Sequence, residues 1–169
     1  MFELDVEQIE EYRKDKPEYY RQLASQLEAL LAEDTNWVTN LSQMSAFIFQ
    51  MLPELNWSGF YLVNPKNPQA LILGPYQGKV ACVHIPFGRG VCGTAAQTQE
   101  TQLVKDVHAF DGHIACDGDT NSEVVIPMLV NGDLVGVLDI DSPIYNRFDQ
   151  EDADGLMELV KILKNRTNF

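Results

Sequence analysis

The sequence predicts an α+β domain: a mostly antiparallel sheet of about six strands, helices packed on one face, and a ligand pocket under loops on the other. Three observations predict it. Apolar residues recur at helical spacing near both ends of the 169-residue chain. The middle switches to short β-branched and aromatic runs separated by turn residues. Two such runs flank Asn131-Gly132, a strong signal for a two-residue hairpin.

The elements follow in order. Residues 17–33 (PEYYRQLASQLEALLAE) read as a helix, with Pro17 at its start and Tyr20, Leu23, Leu27, Leu30 and Leu31 along one face. Residues 36–52 read as a second helix, striped by Trp37, Leu41, Met44, Ile48 and Met51 and closed by Pro53. Strands are expected at WSGFYLV (57–63), ALILG (70–74), KVACVHI (79–85) and TQLVKDV (101–107). Glycines in GRGVCGTAAQTQ (88–99) lead into a short helix. EVVIPMLV and DLVGVLDI form the hairpin. The closing helix takes Asp149 as N-cap, acidic residues in its first turn, and an apolar face of Leu156, Leu159, Val160 and Leu163. Residues 1–35 read as an N-terminal helical extension and 36–169 as the domain itself.

Composition narrows the function. A formal net charge of −13 repels phosphate backbones and anionic surfaces, so neither nucleic acid nor a membrane is an expected partner. No stretch approaches the ~20 apolar residues that cross a bilayer, and the acidic N-terminus has no apolar signal core. The expected compartment is the cytoplasm, where the three cysteines rest as thiols and a disulfide is catalytic or redox-sensing rather than structural.

The stretch VHAFDGHIACDGDTNSE (107–123) puts Cys116 in a polar, glycine-containing loop, although cysteine is usually a buried, small hydrophobe. Exposure favours reactivity, while the surrounding carboxylates disfavour a standing thiolate. Cys82, in KVACVHI, alternates onto one strand face with Val80 and His84, and reads equally as filler or as a reactive group. Cys92, between glycines near a helix start, reads first as packing filler, although a helix N-terminus lowers thiol pKa values. Asp139 and Asp141 share one strand face. Hairpin pairing of 130 with 133 brings Glu123 near 140, beside both aspartates. Carboxylates so close, if buried, do not all ionise; one stays protonated as an acid, or the group takes a cation. Trp57 and Tyr61, four apart, either wall a small pocket or fill core. The spacings Cys82-x-His84 and His113-x-x-Cys116 are weak for zinc, and GRGVCG lacks the ending of a phosphate loop. No metal or cofactor is expected.

GRGVCGTAA, DVHAFDGHIACD, NSEVVIPM and GVLDIDS, in this order and at these spacings, resemble the free methionine-(R)-sulfoxide reductases, which are stand-alone GAF-domain enzymes. The resemblance runs from about Asn36 to Leu163. It implies a GAF-like fold and reduction of the R-epimer of free methionine sulfoxide. It implies Cys116 as the catalytic cysteine, Cys82 as its recycling partner in a disulfide reached through a sulfenic acid, and Cys92 as the third cysteine. It further implies Trp57 and Tyr61 as the aromatic wall and Glu123, Asp139 and Asp141 as substrate-binding carboxylates. Backbone N–H groups of the 113–116 loop, at Ile114 and Ala115, are then expected to hold the substrate carboxylate. Thioredoxin is the expected reductant, and a homodimer is plausible for this fold. The rival expectation is a GAF-type sensor for a small ligand, or a thiol redox sensor without turnover.

Overall fold

The computed structural model describes residues 2–114 and 116–169. Among them six strands form one sheet in the order β3-β2-β1-β6-β5-β4, every neighbouring pair antiparallel. The strands are β1 (Trp57–Asn64), β2 (Asn67–Gly78), β3 (His84–Pro86), β4 (Gln102–Val104), β5 (Ser122–Val130) and β6 (Asp133–Ser142). The helices are α1 (Val6–Lys14), α2 (Lys16–Leu30), α3 (Trp37–Met51), α4 (Gly90–Thr98) and α5 (Gln150–Arg166).

Side-chain alternation splits the sheet into two apolar layers. Phe60, Val124, Ile126, Met128, Leu138 and Ile140 point into a core shared with α1, α2, α3 and α5. Trp57, Tyr61, Val125 and Val137 point the other way, toward α4 and the long connections, where Val91, Cys92 and Ala95 meet them. The functional groups of the sequence lie in this second layer.

Local chemistry sets the helix ends. Asp5 and Gln8 form a capping box at α1, as do Asp149 and Asp152 at α5, and Asn36 caps α3 through its side chain. Asp152 also receives the hydroxyls of Tyr12 and Tyr20 (the latter at 2.8 Å) and Lys16 Nζ at 2.9 Å. That buried knot ties α1 and α2 to the closing helix. Helix α1 was not among the expected elements. It buries only Tyr12, so it carries almost no apolar periodicity to read. Trp37 is another departure: it is 41% exposed, lying in the first turn of α3 and off the buried stripe.

Asn131 and Gly132 take φ of 53° and 84°, the left-handed pair that a type I′ hairpin turn requires. Val130 pairs with Asp133 as expected, but a bulge follows: Leu129 pairs with Leu134 and Met128 with Gly136, leaving Val135 unpaired. The register therefore advances by one. Glu123 pairs with Asp141 rather than with 140. A one-residue slip exchanges the two faces of a strand. The bulge is thus what turns Glu123 onto the same face as Asp139 and Asp141.

Candidate active site

A cavity of about 50 Å³ opens between the second face of the sheet and the loops over it. Trp57 and Tyr61 of β1 form one wall, and Glu123 of β5 with Asp139 and Asp141 of β6 form the floor. Val91 and Cys92 of α4 close one side, and His113, Ile114, Cys116, Asp117 and Thr120 come from the loop above. Ala115 lies outside the described residues.

The aromatic wall is a stack of three rings. Trp57 lies 5.8 Å from Tyr61 and 5.0 Å from Tyr76, centroid to centroid. Both β1 aromatics use their polar ends to hold the segment before β3: Trp57 Nε1 donates to the Lys79 carbonyl at 3.2 Å, and the Tyr61 hydroxyl to the Cys82 carbonyl at 2.9 Å. Cys82 was expected within a strand, but only His84–Pro86 pair with β2, and Val80 and Val83 are 84% and 52% exposed. The face alternation assigned to that segment therefore does not apply. Freed from a ladder, Cys82 reaches Cys116 and forms a disulfide with it, Cα to Cα 5.5 Å. The loop bearing Cys116 is pinned on its far side. Asn56 Nδ2 donates to Asp117 at 3.0 Å and to the Thr120 hydroxyl at 2.9 Å, and Lys79 pairs with Asp119.

Beneath the disulfide the three carboxyl groups are almost wholly buried. Burial drives Glu123 well above the ordinary carboxylate range, and its two aspartate neighbours push it further. Burial raises Asp141 in the same way, reinforced by Asp139. Asp139 rises as well, against the opposing effect of Glu123, Cys92 and Asp141, whose protons favour its charged form. Burial and mutual proximity thus favour the protonated forms within the cluster. Cys92 remains a buried thiol, its Sγ 3.9 Å from Glu123 Oε2, and burial and the three carboxyls push its pKa well up. His113, at the cavity edge, is shifted down by burial and by His108.

A buried, proton-holding acid cluster beneath a disulfide and beside an aromatic wall is suited to delivering protons to a small polar substrate whose reduction is coupled to thiol oxidation. The GAF domain family model matches residues 38–163. The free methionine-R-sulfoxide reductase of Escherichia coli is 48% identical over 150 residues, covering 89% of each chain. That of Saccharomyces cerevisiae is 46% identical over 160 residues, covering 92% of this chain and 89% of its own. The structure of free methionine-R-sulfoxide reductase from Neisseria meningitidis in complex with its substrate superposes with a TM-score of 0.85 at 44% identity, covering 90% of each chain. The chain belongs to the free methionine-R-sulfoxide reductase family.

The cavity of this family member gathers all the described residues singled out in the sequence except Cys82, which meets it only through the bond to Cys116. Around the cavity stand further residues that the sequence reading missed. Tyr76 is the outer ring of the aromatic stack, paired with Gly59 across β1 and β2. A Cβ on Gly59 would collide with Tyr76, whose Cα would lie 2.7 Å away, so glycine is what lets that ring close over Trp57. The signal was present in WSGFY: a glycine between two aromatic positions of one face marks a close backbone approach. Thr120 and Asn56, which link the Cys116 loop to Asp141 (Thr120 Oγ1 3.4 Å from Asp141 Oδ2), carry no signal in isolation. No described helix is long and apolar enough to cross a membrane.

Proposed function

We propose that this protein reduces the R-epimer of free methionine sulfoxide to methionine in the reducing cytoplasm, with Cys116 as the attacking thiol. The observation that carries this reading is the Cys82–Cys116 disulfide over a buried, proton-rich carboxyl cluster. Activities named for relatives 46–48% identical over most of the chain support it.

In the reduced protein the Cys116 sulfur attacks the sulfoxide sulfur. The sulfoxide oxygen is protonated from the Glu123–Asp139–Asp141 cluster, whose raised pKa values keep a proton available. The oxygen moves to Cys116 as a sulfenic acid, and methionine leaves with its sulfur reduced. The Cys82 thiol then attacks the sulfenic sulfur, and a disulfide forms with loss of one water. A dithiol protein of the thioredoxin type attacks that disulfide, leaves with its own, and returns both cysteines as thiols. The substrate methyl group lies against Trp57 and Tyr61, its ammonium on the carboxylate charge that remains, and its own carboxylate on backbone N–H groups of the 113–116 loop.

The test is methionine release from the two resolved sulfoxide epimers, each free and within a peptide, with thioredoxin and its reductase. Turnover of the free R-epimer alone is expected. Equal turnover of both epimers would overturn the assigned specificity, and no turnover of either would leave a small-ligand or redox sensor.

A further inference from the structure

The Cys82–Cys116 disulfide presents two unlike sulfurs. Cys116 lines the cavity, whereas Cys82 meets it only through the shared bond. Thiol–disulfide exchange is an in-line displacement: the attacking thiolate enters opposite the sulfur that leaves, and access helps to decide which sulfur is attacked. Attack on Cys116 would have to come through a cavity of about 50 Å³ walled by Trp57 and Tyr61, too small for the reactive segment of a protein. Attack on Cys82 comes from outside.

The outside of that segment is unusually apolar. Its backbone is held on the inner side: the Lys79 carbonyl accepts from Trp57, the Cys82 carbonyl from Tyr61, and the Val83 carbonyl from the Leu73 N–H at 2.9 Å. The side chains of Val80 and Val83 are left 84% and 52% exposed. Val80 is the most exposed large apolar side chain among the described residues. Single surface apolars are ordinary, but these two flank the one sulfur that an external thiol can reach. The stretch KVACVH (79–84) contains no carboxylate, although the chain carries 25 acidic residues. Its lysine is paired with Asp119. An apolar partner surface can therefore cover the stretch without desolvating an anion.

We propose that Val80, Cys82 and Val83 form the docking face for the reductant, a dithiol protein whose reactive thiol stands in an apolar surface, and that its thiolate attacks Cys82 rather than Cys116. The proposal deepens the reductase reading and rests on it for the source of the disulfide. A sulfur–sulfur bond forms between the partner and Cys82 as the Cys82–Cys116 bond breaks. Cys116 takes the electron pair, is protonated from the carboxyl cluster beneath it, and stands free at the cavity for the next sulfoxide. The partner's second thiol then attacks its own first sulfur, and Cys82 leaves as a thiol. The partner is oxidised to its disulfide, and Cys82 and Cys116 gain its two electrons and two protons.

The experiment starts from the oxidised full-length protein and needs no sulfoxide, so it reads independently of the reductase activity. Thioredoxin with its second cysteine replaced by serine is added, the reaction is quenched early with N-ethylmaleimide, and the adduct is mapped by proteolysis and mass spectrometry. The expected adduct joins thioredoxin to Cys82 and leaves Cys116 alkylated. Capture at Cys116, or no capture, would overturn the proposal; capture at Cys82 in a protein that forms no methionine would remove only the reductase reading. Val83→Asn tests the docking face. Its oxidised form should be reduced about threefold or more slowly by subsaturating unmodified thioredoxin, and at an unchanged rate by dithiothreitol. An unchanged rate with thioredoxin, or equal slowing with both reductants, would overturn the docking face. The adduct map of the unmodified protein decides the attacked sulfur even if the variant fails to fold.

Discussion

Reducing the Cys82–Cys116 disulfide should cost the fold a calculable amount of stability. The bond closes a loop of 34 residues. Loop-closure entropy for that length gives about 3.8 kcal/mol at 25 °C. For a domain of this size each kcal/mol moves the melting temperature by about 2–4 °C, so reduction should lower it by about 8–15 °C. The apolar layers on both sides of the sheet do not depend on the bond, so melting should remain cooperative after reduction. The assay is thermal unfolding by circular dichroism, with and without a phosphine reductant, on the unmodified protein and on Cys82→Ser, Cys116→Ser and Cys92→Ser. The first two variants should melt at the reduced temperature whatever the reductant, and Cys92→Ser should keep the full difference. A redox-dependent shift in Cys82→Ser, or its loss in Cys92→Ser, would refute the pairing on which the reasoning rests.

Glu123→Gln tests the proton-rich cluster. Because burial and two aspartates raise the pKa of Glu123 in the folded state, the native protein holds a proton that the unfolded chain releases. This contribution is fully present below the ordinary carboxylate pKa of about 4.3 and is lost as pH rises toward the folded value. Glutamine removes that dependence, so the variant should melt higher than the unmodified protein at pH 7.5 and the two curves should converge toward pH 4. Its rate of methionine formation should fall by about 10²–10⁴, the usual share of a general acid. Gly59→Ala should destabilise by about 1–3 kcal/mol through overpacking against Tyr76, read by chemical denaturation, and should change Trp57 fluorescence as the stacked ring is displaced.

Much of this fold could be read from residue pattern because several levels agreed. In α2, α3 and α5, side-chain caps and a buried stripe coincide. The hairpin turn is written in Asn131-Gly132. Where a single signal stood alone, reading failed. Helix α1 has its capping box but little apolar face, and the segment around Cys82 has strand composition without a partner for most of its length. The bulge at Val135 has no propensity signature, yet it decides which face Glu123 occupies. The acid cluster was therefore legible as a neighbourhood and not as a geometry. The meeting of Cys82 and Cys116 came only from family resemblance, since nothing in their spacing fixes it. The approach of Cys92 to Glu123 depends on α4 packing against the hairpin, a tertiary relation that local sequence does not encode.

The central claim is that Cys116 performs the chemistry and Cys82 only resets it. Single-turnover stoichiometry separates the two roles. Each reduced protein is mixed with excess free R-methionine sulfoxide without external reductant, and the methionine formed is counted per chain. One methionine per chain is expected from Cys82→Ser, which stalls before recycling, and none from Cys116→Ser. A full first turnover by Cys116→Ser would contradict the account.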